Sequence, residues 1–230
     1  MTTNFRPKTP SFTLAVMLLS LAVPCVAIAA PDLPPVPRMA AAPSSASWTI
    51  DYQYKTPNPY LKPPDPSQAD AFARMRNQYA RPVSIQVTKA GDHKKEVLQL
   101  DNQTQRIRWI RGDLMVLEDP QRKTFSTWDA KVPGTVPFSH DFDSLDWVDK
   151  ADYEGHQTFQ QVDCCAYHAK ATPQGEQTAY IDAKSGLPVG VQQANLTLIY
   201  TFHSSSDPME IPPAVEAQLK AYLDSTKGSP

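Results

Sequence analysis

From residue 48 onward, apolar and polar positions alternate through most of the chain. In WTIDYQY, Trp48, Ile50, Tyr52 and Tyr54 fall on one side and Thr49, Asp51 and Gln53 on the other, the period of a half-buried strand. Val83, Ile85 and Val87 repeat the pattern, followed by EVLQLD and by RIRWIR, where Ile107 and Trp109 oppose Arg106 and Arg108. DLMVLEDP is more continuously apolar, and KTFSTW closes the series. The breaks AGD, DNQT, RGD and EDPQR carry hairpin-like turn chemistry, so this region predicts an antiparallel meander with one packed and one wetter face. Strands resume at TFQQVDCCAYHAKA, TAYIDA, LPVGVQQAN and TLIYTFHS. Between the two sets, PGTVPFSHDFDSLDWVDKADYEGH has little alternation and predicts a short helical turn.

Two segments have helical spacing instead. Ser67 as N-cap, with Asp70 three residues on, opens a helix whose Phe72, Met75 and Tyr79 form one stripe and which Pro82 ends. That stripe predicts core packing. IPPAVEAQLKAYL places prolines in a first turn and Val215, Leu219 and Tyr222 on one face. Strands outnumber helices, so the expected class is mainly β (β-rich α+β): a single antiparallel twisted sheet or half-barrel with one or two packed helices.

The ends change the picture. Arg6 and Lys8 precede an apolar run that closes on Ala27-Ile28-Ala29, the pattern of a secretory signal peptide over residues 1–29. Residues 30–47, rich in Pro, Ala and Ser, read as a disordered arm, residues 48–224 as one β-rich domain, and 225–230 as a flexible tail. Removing Arg6 and Lys8 leaves 20 basic against 24 acidic side chains, a formal charge of −4, which is no footprint for nucleic acid. No later stretch is apolar enough to span a membrane, so the expected location is periplasmic or secreted.

The meander LQLDNQTQRIRWIRGDLMVLEDPQRKTF, then YEGHQTFQQVDCCAYHA, AYIDAKSGLPVGVQQ and YTFHS together resemble the LolA-like lipoprotein-carrier superfamily and its ependymin-like relatives, over roughly residues 83–205. The carriers of the resemblance are turn glycines and strand aromatics, as in Ile181-Asp182 and Gly186-Leu187-Pro188-Val189. The resemblance implies an open half-barrel around an apolar cavity, closed by helices, that takes up acyl chains or other hydrophobic ligands. The helix and long proline loop after the first strand depart from it. No catalytic signature belongs to that superfamily as a whole, and a fold alone does not give a function.

Candidate chemistry is sparse. On a strand, Cys164, Ala166 and His168 share one face and Cys165 and Tyr167 the other. Cys164 and His168 then lie about 13 Å apart, too far to ligate one zinc ion. Cys164 and Cys165 remain disulfide candidates, vicinal or between chains, beside the plainer reading of one buried and one partly exposed thiol. Ser139-His140-Asp141 and the His203 segment contain hydrolase residue types, but sequence adjacency does not make a triad. The acidic run from Asp141 through Asp143, Asp146, Asp149 and Asp152 fits a calcium loop at only two positions and reads as a solvated turn. No metal and no cofactor are expected, and no enzyme activity. The leading reading is an exported soluble binding protein for a lipid-like or other hydrophobic small molecule, with Trp48, Tyr52, Ile107, Trp109, Leu114, Val116, Tyr180, Val189 and Tyr200 as candidate pocket residues. The alternative is a structural or envelope-assembly protein whose proline arm and an exposed cysteine contact another envelope protein, the sheet core being filled and holding no ligand. An exported hydrolase using His140 or His203 ranks last.

Overall fold

The computed structural model describes residues 38–61, 67, 69–132, 141–142, 145–172, 175–204 and 209–226. The expected signal peptide, the first part of the arm, His140 and residues 227–230 lie outside them.

Eleven antiparallel strands form one open sheet, in the order β6-β5-β4-β3-β2-β1-β11-β10-β9-β8-β7. The first half is a meander running outward: β1 (Ser45–Tyr54), β2 (Pro82–Ala90), β3 (His93–Leu100), β4 (Gln105–Arg111), β5 (Leu114–Asp119) and β6 (Thr124–Asp129). The second runs back inward: β7 (Asp152–Phe159), β8 (Val162–Thr172), β9 (Gly175–Asp182), β10 (Pro188–Gln193) and β11 (Leu196–His203). The halves join where β1 pairs with β11, with Trp48 opposite Phe202 and Ile50 opposite Tyr200. Helices α1 (Ala69–Gln78) and α2 (Pro213–Thr226) complete the β-dominated architecture that the alternation predicts.

Register decides which alternating residues share a face. Trp48 pairs with Val87, Val87 with Glu96, and Glu96 with Arg108, so Trp109 points the other way from Trp48. The Trp48 face holds the largest buried cluster, including Val87, Leu98, Cys165, Tyr167, Ala179, Val191, Leu198 and Tyr200. It is covered by Phe142, Leu145 and Val148, from the connection between the two edge strands, with Val148 opening a single 3₁₀ turn at Val148–Lys150. On the opposite face, α2 inserts Val215 and Leu219 against Trp109 and Val116. Tyr222 adds a hydrogen bond from its hydroxyl to Asp129 at 3.3 Å. The expected α2 stripe is therefore the one that docks.

Three expectations change. The chain ahead of Trp48 is not a free arm as far as residue 47. β1 already starts at Ser45, Met39 and Ala42 pack in the Trp48 cluster, and the Ala40 N–H donates to the Gly186 carbonyl at 2.8 Å. The α1 stripe is not core: Met75 and Tyr79 are 42% and 48% exposed. No residue of the helix is buried, Phe72 being half-buried, and its neighbourhood is held by polar contacts and one ring stack. Asn102 donates to Asn77, Asn58 bridges the Tyr79 carbonyl and Asp101, and Tyr60 stacks on Tyr79 at 4.9 Å. Finally, residues 152–156, expected as irregular, belong to edge strand β7, which runs on through Phe159. It joins β8 through a two-residue turn in which Gln160 and Gln161 both adopt positive φ, 49° and 65°, as a type I′ hairpin requires.

Candidate ligand-binding face

Trp48 sits mid-sheet on β1, hydrogen-bonded into both neighbouring strands, and is fully buried. Its ring lies 5.5 Å from Phe142 and 5.7 Å from Phe202, and Phe142 meets Tyr200 edge-on at 6.2 Å. Tyr52 packs at the border of the same cluster. Such an aromatic group supplies a large apolar contact area with defined ring geometry. One polar atom within it is unsatisfied: among the described residues no acceptor reaches Trp48 Nε1. A buried donor left without a partner costs about 1–3 kcal/mol, and native structures rarely tolerate one.

The same face becomes ionic toward the first-half strands. Lys89 pairs with Asp141 at 2.6 Å, and Glu96 accepts from Lys94 at 3.1 Å and from Arg108 at 3.2 Å. Lys94 and Glu96 are themselves buried. Lys89 and Lys94 are cross-strand neighbours, and Lys89 pairs with Ala46, two residues from Trp48. An aromatic region thus adjoins a charged one on a single surface.

The nine candidate residues fall into three groups. Trp48, Tyr52 and Tyr200 come together on this face. Ile107, Trp109, Leu114 and Val116 meet α2 on the opposite face, where a residual space of about 10 Å³ is room for one water at most. Trp109 Nε1 donates to Glu118 at 3.1 Å, so this indole has the partner that Trp48 lacks. Tyr180 and Val189 belong to a third cluster with Cys164, Ala166 and Phe159. Alternation reveals each residue as inward, but nothing in it distinguishes one inward face from the other.

The cysteines sit where strand alternation puts them. Cys164 packs in the third cluster and donates to the Val162 carbonyl at 3.5 Å, while Cys165 joins the Trp48 face. Both thiols are free, and both are buried, which leaves neither partly exposed. Burial pushes both thiols above their usual pKa. Tyr167 beside Cys165 is pushed up to about 12, first by burial and then by the charges that Cys165, Tyr153 and Asp149 can carry.

The hydrolase residues do not assemble among the described residues. His203 accepts or donates a single 2.9 Å hydrogen bond with Thr49 on the exposed side of the sheet. Asp141 is engaged by Lys89 and by the Ala42 N–H at 3.0 Å. Among the described residues no group of three or more His, Cys, Asp or Glu side chains could hold a metal ion, and no helix is long and apolar enough to cross a membrane.

No family model matches the chain, and no curated protein matches it. Among solved structures it is similar to the lipoprotein LppX of Mycobacterium tuberculosis, at 10% sequence identity over 74% of this chain and 90% of that one, with a TM-score of 0.41. The likeness assigns neither a family nor an activity to this chain.

Proposed function

We propose that the chain is an exported protein that binds an amphiphile, a molecule with an apolar chain and an oxygen-bearing head, on the Trp48 face. The observation that carries this reading is the unpartnered Trp48 N–H inside an aromatic cluster. A ligand oxygen placed there removes the cost of the orphan donor, while Trp48, Tyr52 and Tyr200 cover the chain. Lys89, Lys94 and Arg108 on the same face suit a carboxylate or ester head. Export rests on the signal-like residues 1–29.

Extraction of the purified protein, followed by lipid mass spectrometry, tests the reading. The expected result is a copurifying acyl species, together with oleate binding that Trp48→Phe weakens about five- to tenfold, the worth of one hydrogen bond. Phenylalanine keeps a buried ring and removes only the donor and some volume. Absence of any acyl species, together with no binding of oleate, ends the reading and leaves a filled sheet that makes protein contacts.

A further inference from the structure

We infer that Cys165 is a nucleophilic thiol served by His156 as base, with Asp163 as positioning residue, and that it exchanges with small uncharged disulfides. The three residues come from one hairpin. In the β7–β8 register His156 lies directly opposite Cys165, and Asp163 sits two residues before Cys165 on the same face. Asp163 takes His156 Nδ1 at 3.1 and 3.3 Å. A carboxylate only accepts, so in the neutral imidazole the ring proton resides on Nδ1 and Nε2 is the free acceptor. That acceptor points at Cys165 Sγ, 4.0 Å away. Nucleophile, base and orienting acid thus stand in the order that activates thiols and hydroxyls elsewhere. The adjacent Cys164 has no such partner: it faces the other way and donates to a backbone carbonyl.

Access is built into the edge of the sheet. Cys165 itself is 1% exposed and packs in the Trp48 cluster, but two of its neighbours, Tyr153 and His156, are exposed side chains of β7, a strand paired on one side only and bulged between Tyr153 and Gly155. Such edge elements open locally well below the cost of global unfolding. Asp163, Asp182 and Asp149 surround the site, so an uncharged reagent is favoured over an anionic one. In the reaction Cys165 Sγ attacks one sulfur of the disulfide as its proton passes to His156 Nε2. The Cys165–sulfur bond forms, the reagent S–S bond breaks, and the leaving thiolate takes the proton back from the imidazolium. The thiol is oxidised to a mixed disulfide and half of the reagent is reduced. Cys164, on the opposite face, cannot resolve the adduct.

The test compares Cys164→Ala, which leaves Cys165, with Cys165→Ala, which leaves Cys164, in the full chain. Each is treated with hydroxyethyl disulfide, and adducts are mapped by mass spectrometry to the peptide carrying residues 151–170. Cys165 is expected to react about tenfold or more faster than Cys164, and His156→Gln to slow Cys165 by about tenfold or more while leaving Cys164 unchanged. Asp163→Asn is expected to slow Cys165 in part. Glutathione disulfide, which is anionic, is expected to react more slowly; equal reaction would overturn the preference for uncharged reagents. Equal rates at the two cysteines, or a His156→Gln effect that is absent or shared by both, would mean that the thiol is reached only by general unfolding, and the proposal fails.

Discussion

Gly190 on β10 offers a sharp test of how the sheet packs behind the Trp48 face. A Cβ built there would lie 2.3 Å from Phe159 Cε1, 2.7 Å from its Cζ and 2.8 Å from the Leu198 carbonyl oxygen. The carbonyl belongs to the neighbouring strand and cannot retreat without breaking pairing. The ring cannot swing freely either, because Phe159 stacks on Tyr180 at 4.2 Å with planes 7° apart. Overpacking of this kind costs about 1–3 kcal/mol, and a disturbed aromatic pair about 0.5–1.5 kcal/mol more. Gly190→Ala should therefore lose about 2–4 kcal/mol, read as a lower urea midpoint with an unchanged slope. Adding Phe159→Ala removes the ring from the clash, so the double variant should be less destabilised than the two single changes summed, by about 1 kcal/mol or more. A Gly190→Ala protein within about 0.5 kcal/mol of the parent would refute the packing described.

The two helices should differ sharply under the same assay. Leu219→Ala, which empties the buried contact of α2 with Trp109 and Val116, is expected to cost about 2–5 kcal/mol. Met75→Ala on exposed α1 should stay within about 0.5 kcal/mol; similar losses from both would contradict the assignment of the docked face. Asp182 is held below the usual carboxylate pKa, first by the Ser185 hydroxyl and then by the Lys184 N–H. Because its folded pKa is depressed, its contribution is present above the unfolded value of about 3.9 and is lost as pH falls through the folded one. Ser185→Ala should therefore flatten the loss of stability on acidification, and an unchanged profile of urea midpoint against pH would count against that bond.

The period-two pattern revealed most strands and the opposite facing of Cys164 and Cys165, because alternation follows directly from strand geometry. It ran through Gln160 and Gln161 without a break, since glutamine carries none of the turn signal that glycine or asparagine would at positive φ. The turn between β7 and β8 was missed for that reason, and residues 152–156 of β7 because Asp152, Glu154, Gly155 and His156 offer no apolar alternation. The α1 stripe misled because spacing records which residues align, not whether anything covers them; its anchors are the Asn58, Asn77 and Asn102 amides. Trp48 and Trp109 alternate in the same way, and only the register across four strands separates their faces. The pairing of His156 with Cys165, likewise, is a property of hairpin register and not of spacing along the chain.

The most direct test of the binding account is a crystal structure of the protein soaked with a terminally brominated fatty acid. The account predicts bromine density at the Trp48 face, with the chain against Trp48, Tyr52 and Tyr200 and a carboxyl oxygen within hydrogen-bond reach of Trp48 Nε1. Bromine beneath α2, or a water held in place of the ligand at that N–H with no bromine bound, would contradict it.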